Sequence, residues 1–131
     1  MTRKPSILIV DDEVSITRTL TMVFEQDGYL VVPAYSAAEA IQVLQDGHSI
    51  DAVITDLNME SEDIGLKVAE TASTLVPRPV VVICTGFASV RNAEQALRMH
   101  VDYLATKPVD LDELKAALNR LVRHSARELS Q

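Results

Sequence analysis

Four short apolar runs alternate with segments of helical period along this chain, and each run ends in a polar side chain. Ile7-Leu8-Ile9-Val10 leads into Asp11 and Asp12, Ala52-Val53-Ile54-Thr55 into Asp56, Val80 to Cys84 into Thr85, and Val101 to Thr106 into Lys107. Continuous Val/Ile-rich runs of this length predict strands covered on both faces, as in a parallel sheet. A fifth run, Tyr29 to Val32, follows Gly28 and is expected to stop at Pro33.

Between the runs, apolar residues recur at helical spacing. Ile16, Leu20, Val23 and Phe24 share one face, with Gly28 as the stop. Ser36 and Glu39 read as a capping box for a helix with Ala37, Ala40, Ile41 and Leu44 on its stripe, closed by Gly47. Leu66, Ala69, Ala72 and Leu75 predict a third helix, broken before Pro77 and Pro79. Ala93, Ala96, Leu97 and His100 predict a fourth, and Asp110 with Glu113 opens a fifth that buries Leu111, Leu114, Leu118 and Leu121. The order is βα five times over. It predicts an α/β fold, a doubly wound five-stranded parallel sheet with right-handed crossovers, because an eight-fold barrel needs far more chain.

In open sheets of this kind ligands bind beyond the carboxyl ends of the strands, where the polar residues stand. If the runs are neighbouring strands, three carboxylates, a hydroxyl and an ammonium meet at one edge. Clustered, Asp11, Asp12 and Asp56 repel one another by a few kcal/mol per close pair, at about 20 for the effective dielectric. A divalent cation relieves that. Magnesium takes oxygen ligands and is commonly held by one or two carboxylates plus phosphate oxygens, and no His or Cys companion argues for a transition metal. Asp56, alone at its strand end, is the candidate nucleophile for a phosphoryl group. Lys107 can neutralise the phosphate and Thr85 can hydrogen-bond it. Taken singly, each has a plainer reading: the Asp pair as a helix cap, Thr85-Gly86 as a turn, Lys107 before Pro108 as a solvated loop charge.

At 131 residues the chain has the length of one domain, and 47% apolar with 24% charged residues is globular composition. Twelve basic against nineteen acidic residues give a formal charge of -7, with no dense basic block, so nucleic-acid binding by this domain is not expected. No apolar run is long enough to cross a bilayer and the start lacks an apolar signal region, which predicts a cytoplasmic protein. The lone Cys84 reads as a small core residue.

The marks "ILIVDDE", "VITDLNM", "VICTG" and "DYLATKP", taken together, resemble the response-regulator receiver domain of two-component signalling, from about Pro5 to Val122. The resemblance implies a flavodoxin-like fold of strand order 2-1-3-4-5. The receiver is expected over residues 1–124, with 125–131 read from the sequence as a fraying C-terminal tail or the start of a linker. The resemblance also implies phosphoryl transfer from a histidine kinase or histidine phosphotransfer protein onto Asp56. Magnesium would be bound by the side chains of Asp12 and Asp56, the Asn58 backbone carbonyl, and Asp11 through water. Lys107 would pair with the acyl phosphate. Thr85 would swing inward to bond it, signalling to a partner or output domain through the fourth helix, fifth strand and fifth helix.

The chain departs from the family pattern in places. Glu60 stands where the family usually has Pro, in an acidic loop, "MESEDIG", one residue longer than usual before Gly65. The position that often carries the switch aromatic is Leu104, with Tyr103 one earlier; a one-residue shift turns a strand side chain to the other face unless a bulge restores it, so a Thr85–Tyr103 coupling is not assumed. Phe87 is expected to bring an apolar ring near the site and slow phosphate loss. Arg120, Arg123 and Arg127 either complement the last helix's dipole or form an interface with a partner or a second copy. The competing functional classes are a magnesium-dependent phosphohydrolase acting through an aspartyl phosphate, which tends to carry Asp-x-Asp and a cap insertion absent here, and an inert interaction module of the same fold.

Overall fold

A computed structural model describes residues 3–61, 63–86, 98 and 101–129, with 126–129 by backbone alone. Five parallel strands, β1 (Ser6–Val10), β2 (Leu30–Ala34), β3 (Ala52–Asp56), β4 (Val80–Thr85) and β5 (Tyr103–Thr106), lie in the order β2-β1-β3-β4-β5. Helices α1 (Val14–Gln26), α2 (Ala37–Gln45) and α3 (Gly65–Ser73) and a C-terminal helix (Leu111–Leu129) connect and cover them. Phe87 and, apart from the helical Arg98, the helix expected around Ala93 to His100 fall outside the described residues.

The two-residue period of the strands divides the interior into two cores. Ile7 and Ile9 of β1, Ile54 of β3 and Val82 of β4 pack with Leu20 and Phe24 of α1 and Leu114 and Leu118 of the C-terminal helix. Leu8, Val10, Val53, Val81 and Ile83 point the other way, onto Ala40 and Leu44 of α2 and Val68, Ala69 and Ala72 of α3. Covering both faces explains why the central runs are continuously apolar instead of alternating. Cys84 is buried in the first core, as expected of a small core residue.

The helices start and stop where local chemistry directs. The Ser36 side chain accepts the Glu39 N–H at 3.1 Å, while Glu39 Oε2 accepts the Tyr35 N–H at 3.4 Å, one residue before the usual partner in a capping box. Asp110 Oδ1 accepts the Glu113 N–H at 3.1 Å at the entry of the C-terminal helix. That helix runs on to Leu129, so the segment expected to fray from Ser125 is helical through most of its length. Arg120 and Arg123 lie on its exposed side. Gly28 and Gly47 follow α1 and α2 with φ of 95° and 81°, in the left-handed region that glycine enters without a Cβ penalty.

Pro33 does not end its strand: β2 continues through it to Ala34. The Leu30 N–H donates to the Pro5 carbonyl and the Ala34 carbonyl accepts the Asp11 N–H, so residues 30, 32 and 34 turn their backbone groups toward β1. Pro33 is out of phase with them. Its missing N–H faces the open side of an edge strand, where the ladder loses nothing.

Two like clamps close the amino ends of the strands. Asp51, just before β3, donates its N–H to the Ser6 carbonyl at 2.9 Å, and its Oδ2 accepts the Ser6 N–H at 2.7 Å. Asp102, just before β5, does the same with Val81, at 2.8 Å for both bonds. Each carboxylate also takes an arginine from three residues upstream of its partner, Arg3 at 2.9 Å and Arg78 at 3.1 Å. The side chain thereby extends the ladder by one closed ring. We expect Asp102→Ala to lower stability by about 1–2 kcal/mol in urea unfolding, since a charged acceptor of a backbone N–H is removed, and Asp102→Asn, which keeps an acceptor oxygen, to cost less than half of that.

Candidate functional site

Strand phase decides which polar residues can meet. Asp11 continues the alternation of Ile7 and Ile9, Asp56 that of Ala52 and Ile54, and Lys107 that of Tyr103 and Ala105, all on the face covered by α1 and the C-terminal helix. Their backbones are held by bonds that continue the ladder: the Asp11 N–H to the Ala34 carbonyl at 3.1 Å, the Leu57 N–H to the Cys84 carbonyl at 2.9 Å, and the Lys107 N–H to the Thr85 carbonyl at 2.8 Å.

The side chains converge accordingly. Lys107 Nζ lies 3.2 Å from Asp56 Oδ2 and 3.7 Å from Asp11 Oδ2. One carboxylate oxygen from each of Asp11, Asp12 and Asp56 can be chosen so that all lie within 4.8 Å of one another. Asp11 is buried, Asp56 half-buried and Asp12 exposed, so the cluster opens to solvent on the Asp12 side. The Asp pair does not cap α1, whose N-cap Glu13 makes no side-chain cap bond, but Asp11 braces the turn that leads into it. Asp11 Oδ1 accepts the Glu13 N–H at 2.9 Å at the entry to α1, and its other oxygen is left for Lys107.

Burial raises the pKa of both Asp11 and Asp56 above the ordinary carboxylate value. For Asp11 the neighbouring charges of Asp56 and Asp12 add to this, while the Glu13 N–H and Lys107 oppose it. For Asp56 the ammonium of Lys107 is the main opposing influence. Burial alone would pull Lys107 down, but the Asp56 and Asp11 carboxylates hold it above its usual value, so it is a cation at neutral pH. Among the described residues, three carboxylates face one ammonium, which leaves the site short of positive charge. Hard oxygen donors at this spacing, with an open side for water, fit a divalent cation.

Beside the cluster lies a cleft of about 360 Å³, walled by Ile16, Leu20, Ile54, Cys84, Val109 and Leu111, with Asp11, Asp56 and Lys107 in its lining. This apolar wall is why the carboxylates are costly to ionise. Burial pushes the Cys84 thiol up to about 12, so it adds no charge.

Asn58 and Thr85 stand apart from the three in-phase residues. Asn58 follows β3 in an exposed position, and its side-chain oxygen accepts the Asp63 N–H at 2.6 Å. Thr85 ends β4 in phase with Val81 and Ile83, on the α2/α3 face, and is buried. Register settles the placement of the shifted aromatic. Tyr103 pairs with Val82 and packs in the α1 core, with its hydroxyl 3.5 Å from Glu113 Oε1, whereas Leu104 pairs with Ile83 on Thr85's face. β5 runs without a bulge, so Tyr103 and Thr85 belong to opposite faces of the sheet.

Sequence reasoning passed over Gly65. It opens α3, and its N–H donates to the Leu57 carbonyl at 2.8 Å. A Cβ there would stand 2.1 Å from the Asp56 carbonyl oxygen and 2.8 Å from Leu57 Cα. No side chain fits. A glycine at the first position of a helix, where a capping residue or proline is more usual, was the available signal.

The sequence profile of the response regulator receiver domain matches residues 7–119. The chain is 35% identical over 127 residues to the transcriptional regulatory protein GlrR of Escherichia coli (strain K12), which aligns with 96% of this chain and 28% of that protein. It is 33% identical over 123 residues to the regulatory protein AtoC of the same organism, covering 94% of this chain and 26% of that one. The chain thus spans little more than a quarter of the length of these curated relatives. A CheY-like response regulator receiver domain protein from Methanospirillum hungatei JF-1 superposes with a TM-score of 0.88 at 26% identity, over 95% of this chain and 98% of that one. A receiver domain from Clostridium thermocellum gives 0.84 at 29% identity, over 97% and 99%.

Raised carboxylate pKa values mean that the native chain binds protons more tightly than the unfolded one, so without metal these groups reduce stability as pH climbs above 3.8. We expect Asp11→Asn, which keeps the acceptor for Glu13, to stabilise the metal-free protein at pH 7 by about 1 kcal/mol in chemical unfolding and to have little effect at pH 4. We expect Gly65→Ala to destabilise by at least about 2 kcal/mol by the same assay, since backbone and not a side-chain tip must yield.

Proposed function

Because the chain belongs to the response-regulator receiver family, we propose that it is a phosphorylation-activated switch, accepting a phosphoryl group on Asp56 from a histidine kinase or a histidine phosphotransfer protein. The observation that carries this reading is the convergence of Asp56, Asp11 and Lys107 on one sheet face, with the ammonium 3.2 Å from the proposed acceptor. Residues 1–124 form the receiver, and 125–131 are a C-terminal tail or the start of a linker. No described helix is long and apolar enough to cross a membrane, and we place the protein in the cytoplasm.

In this reading an Asp56 oxygen attacks the phosphorus of a phosphohistidine. The new O–P bond forms as the P–N bond breaks, and the imidazole leaves with the electron pair. Lys107 is already ionised and already beside Asp56, so it stabilises charge on the transferred oxygens with little reorganisation. Asp11, Asp12 and Asp56, with the Asn58 backbone carbonyl, would hold magnesium. The ion would supply the positive charge that the cluster lacks and neutralise the incoming phosphate.

Thr85 starts from the opposite face, in phase with Ile83. Turning its hydroxyl toward a phosphate on Asp56 therefore requires a rearrangement at the end of β4, which new charge-assisted bonds favour only in the phosphorylated state. The signal leaves through the surface around β5 and the C-terminal helix toward an output domain or partner. Tyr103 is not its relay, since its ring lies on the other face against the α1 core.

The chain catalyses only its own phosphorylation and dephosphorylation. Incubated with magnesium and a small acyl-phosphate donor, it should gain the mass of a single phosphoryl group in intact-mass spectrometry, stable for about minutes, on the scale of slow acyl transfers. Asp56→Asn should gain none. Multiple turnover of the donor would indicate a phosphohydrolase instead, and no adduct with any donor would indicate an inert module.

A further inference from the structure

Where the family pattern has proline, this chain has a carboxylate, and the structure gives that carboxylate a partner on another element. Glu60 Oε1 accepts the N–H of Ala37, the first residue of α2, at 3.0 Å. The Ser36 hydroxyl already takes the Glu39 N–H, and the Ser36 carbonyl takes that of Ala40. Glu60 therefore satisfies one of the first-turn donors that the helix's own cap leaves over. The placement also favours the charge, because the amino end of a helix carries partial positive charge.

The loop that bears Glu60 is pinned at its base and its turn as well. The Gly65 N–H donates to the Leu57 carbonyl at 2.8 Å, and the Asp63 N–H donates to Asn58 Oδ1 at 2.6 Å, with Asp63 at φ 59° in the left-handed region. Both of those bonds are local. The bond from Glu60 reaches 23 residues back, to a helix that packs over β1 and β2 and beside α3. Asn58, whose carbonyl is the one backbone group proposed to face the metal, lies two residues before Glu60 and so within roughly 7 Å of chain reach of that anchor.

Resting on the reading of Asp56 as a magnesium-dependent acceptor and going beyond it, we propose that Glu60 is a positioning residue. Anchored to α2, it fixes the Asn58 backbone at the rim of the carboxylate cluster, and it links the amino end of α2 to occupancy of that site. The same anchor turns a fourth negative charge onto a helix terminus and away from three carboxylates that already repel one another. A proline at this position accepts no N–H through its side chain, so the link is a property of this chain's departure from its family.

The test uses the full chain, labelled with 15N, titrated with magnesium alone, and compared with Glu60→Ala and Glu60→Gln. The wild-type Ala37 amide resonance should move on magnesium binding although Ala37 lies outside the metal site. In Glu60→Ala that movement should disappear and the magnesium Kd should rise about three- to tenfold, the scale of losing a group that orients a ligand. Glu60→Gln keeps an acceptor oxygen and should keep the Ala37 response and most of the affinity. A Glu60→Ala protein with faster Ala37 exchange but wild-type magnesium affinity makes Glu60 a helix cap only, and overturns the proposal. So does a wild-type Ala37 amide indifferent to the metal. A wild-type chain that binds no magnesium overturns this proposal together with the function it rests on, and that result is distinct from either of the others.

Discussion

Three carboxylates at the carboxyl ends of two adjacent strands share one ammonium among the described residues, and the site end of the sheet is organised around that imbalance. Two unit charges 4.8 Å apart repel by on the order of 3 kcal/mol at an effective dielectric near 20, so the arrangement is expensive as it stands. Lys107 offsets part of the cost and the apolar cleft beside it adds to the cost. A site built this way gains free energy from any cation that enters, because the repulsion is relieved. That gain drives a switch only by as much as it is larger in one state than in the other.

The scaffold makes the convergence by phase alone. Asp11, Asp56 and Lys107 come from different strands, and each is an even number of residues beyond a side chain in the same core. Insertion of one residue in any of those strands would send its polar group to the α2/α3 face, where Thr85 already lies. The sheet must therefore be held in register at its other end. The Asp51 and Asp102 clamps are placed to do that, each closing a ring onto the first residues of the neighbouring strand and taking an arginine to hold the carboxylate.

Most of the fold was legible because buried parallel strands leave unbroken Val/Ile runs and because Ser36 and Asp110 mark helix starts by chemistry alone. The strand order was legible only through the family resemblance, and the meeting of Asp11, Asp56 and Lys107 followed once the runs were taken as neighbouring strands. Pro33 was misread, since a proline's tolerance depends on which side its missing N–H faces, and that follows from the pairing partner. Gly65 was overlooked because its necessity comes from the Asp56 carbonyl that a Cβ would strike. The position of Tyr103 relative to Thr85 could be posed from the sequence but only decided by the β4–β5 register. What the sequence could not carry was in each case a contact between elements distant along the chain.

One device recurs at both ends of the sheet: a carboxylate that accepts a backbone N–H, from another segment at Asp51, Asp102 and Glu60 and from its own turn at Asp11. Below, Asp51 and Asp102 do this with an arginine on the same carboxylate, and the geometry is closed. Above, Asp11 accepts the Glu13 N–H with one oxygen and shares Lys107 with Asp56 through the other, while Glu60 accepts the Ala37 N–H from an exposed loop. The difference is how far positive charge satisfies the group. Where a dedicated guanidinium completes the clamp, no further cation is needed and the strand end is fixed. Where several carboxylates divide one ammonium, the geometry stays responsive to any charge that enters. The same side-chain chemistry thus serves as a staple at the amino ends of the strands and as an adjustable contact at their carboxyl ends, and the count of nearby cations decides which.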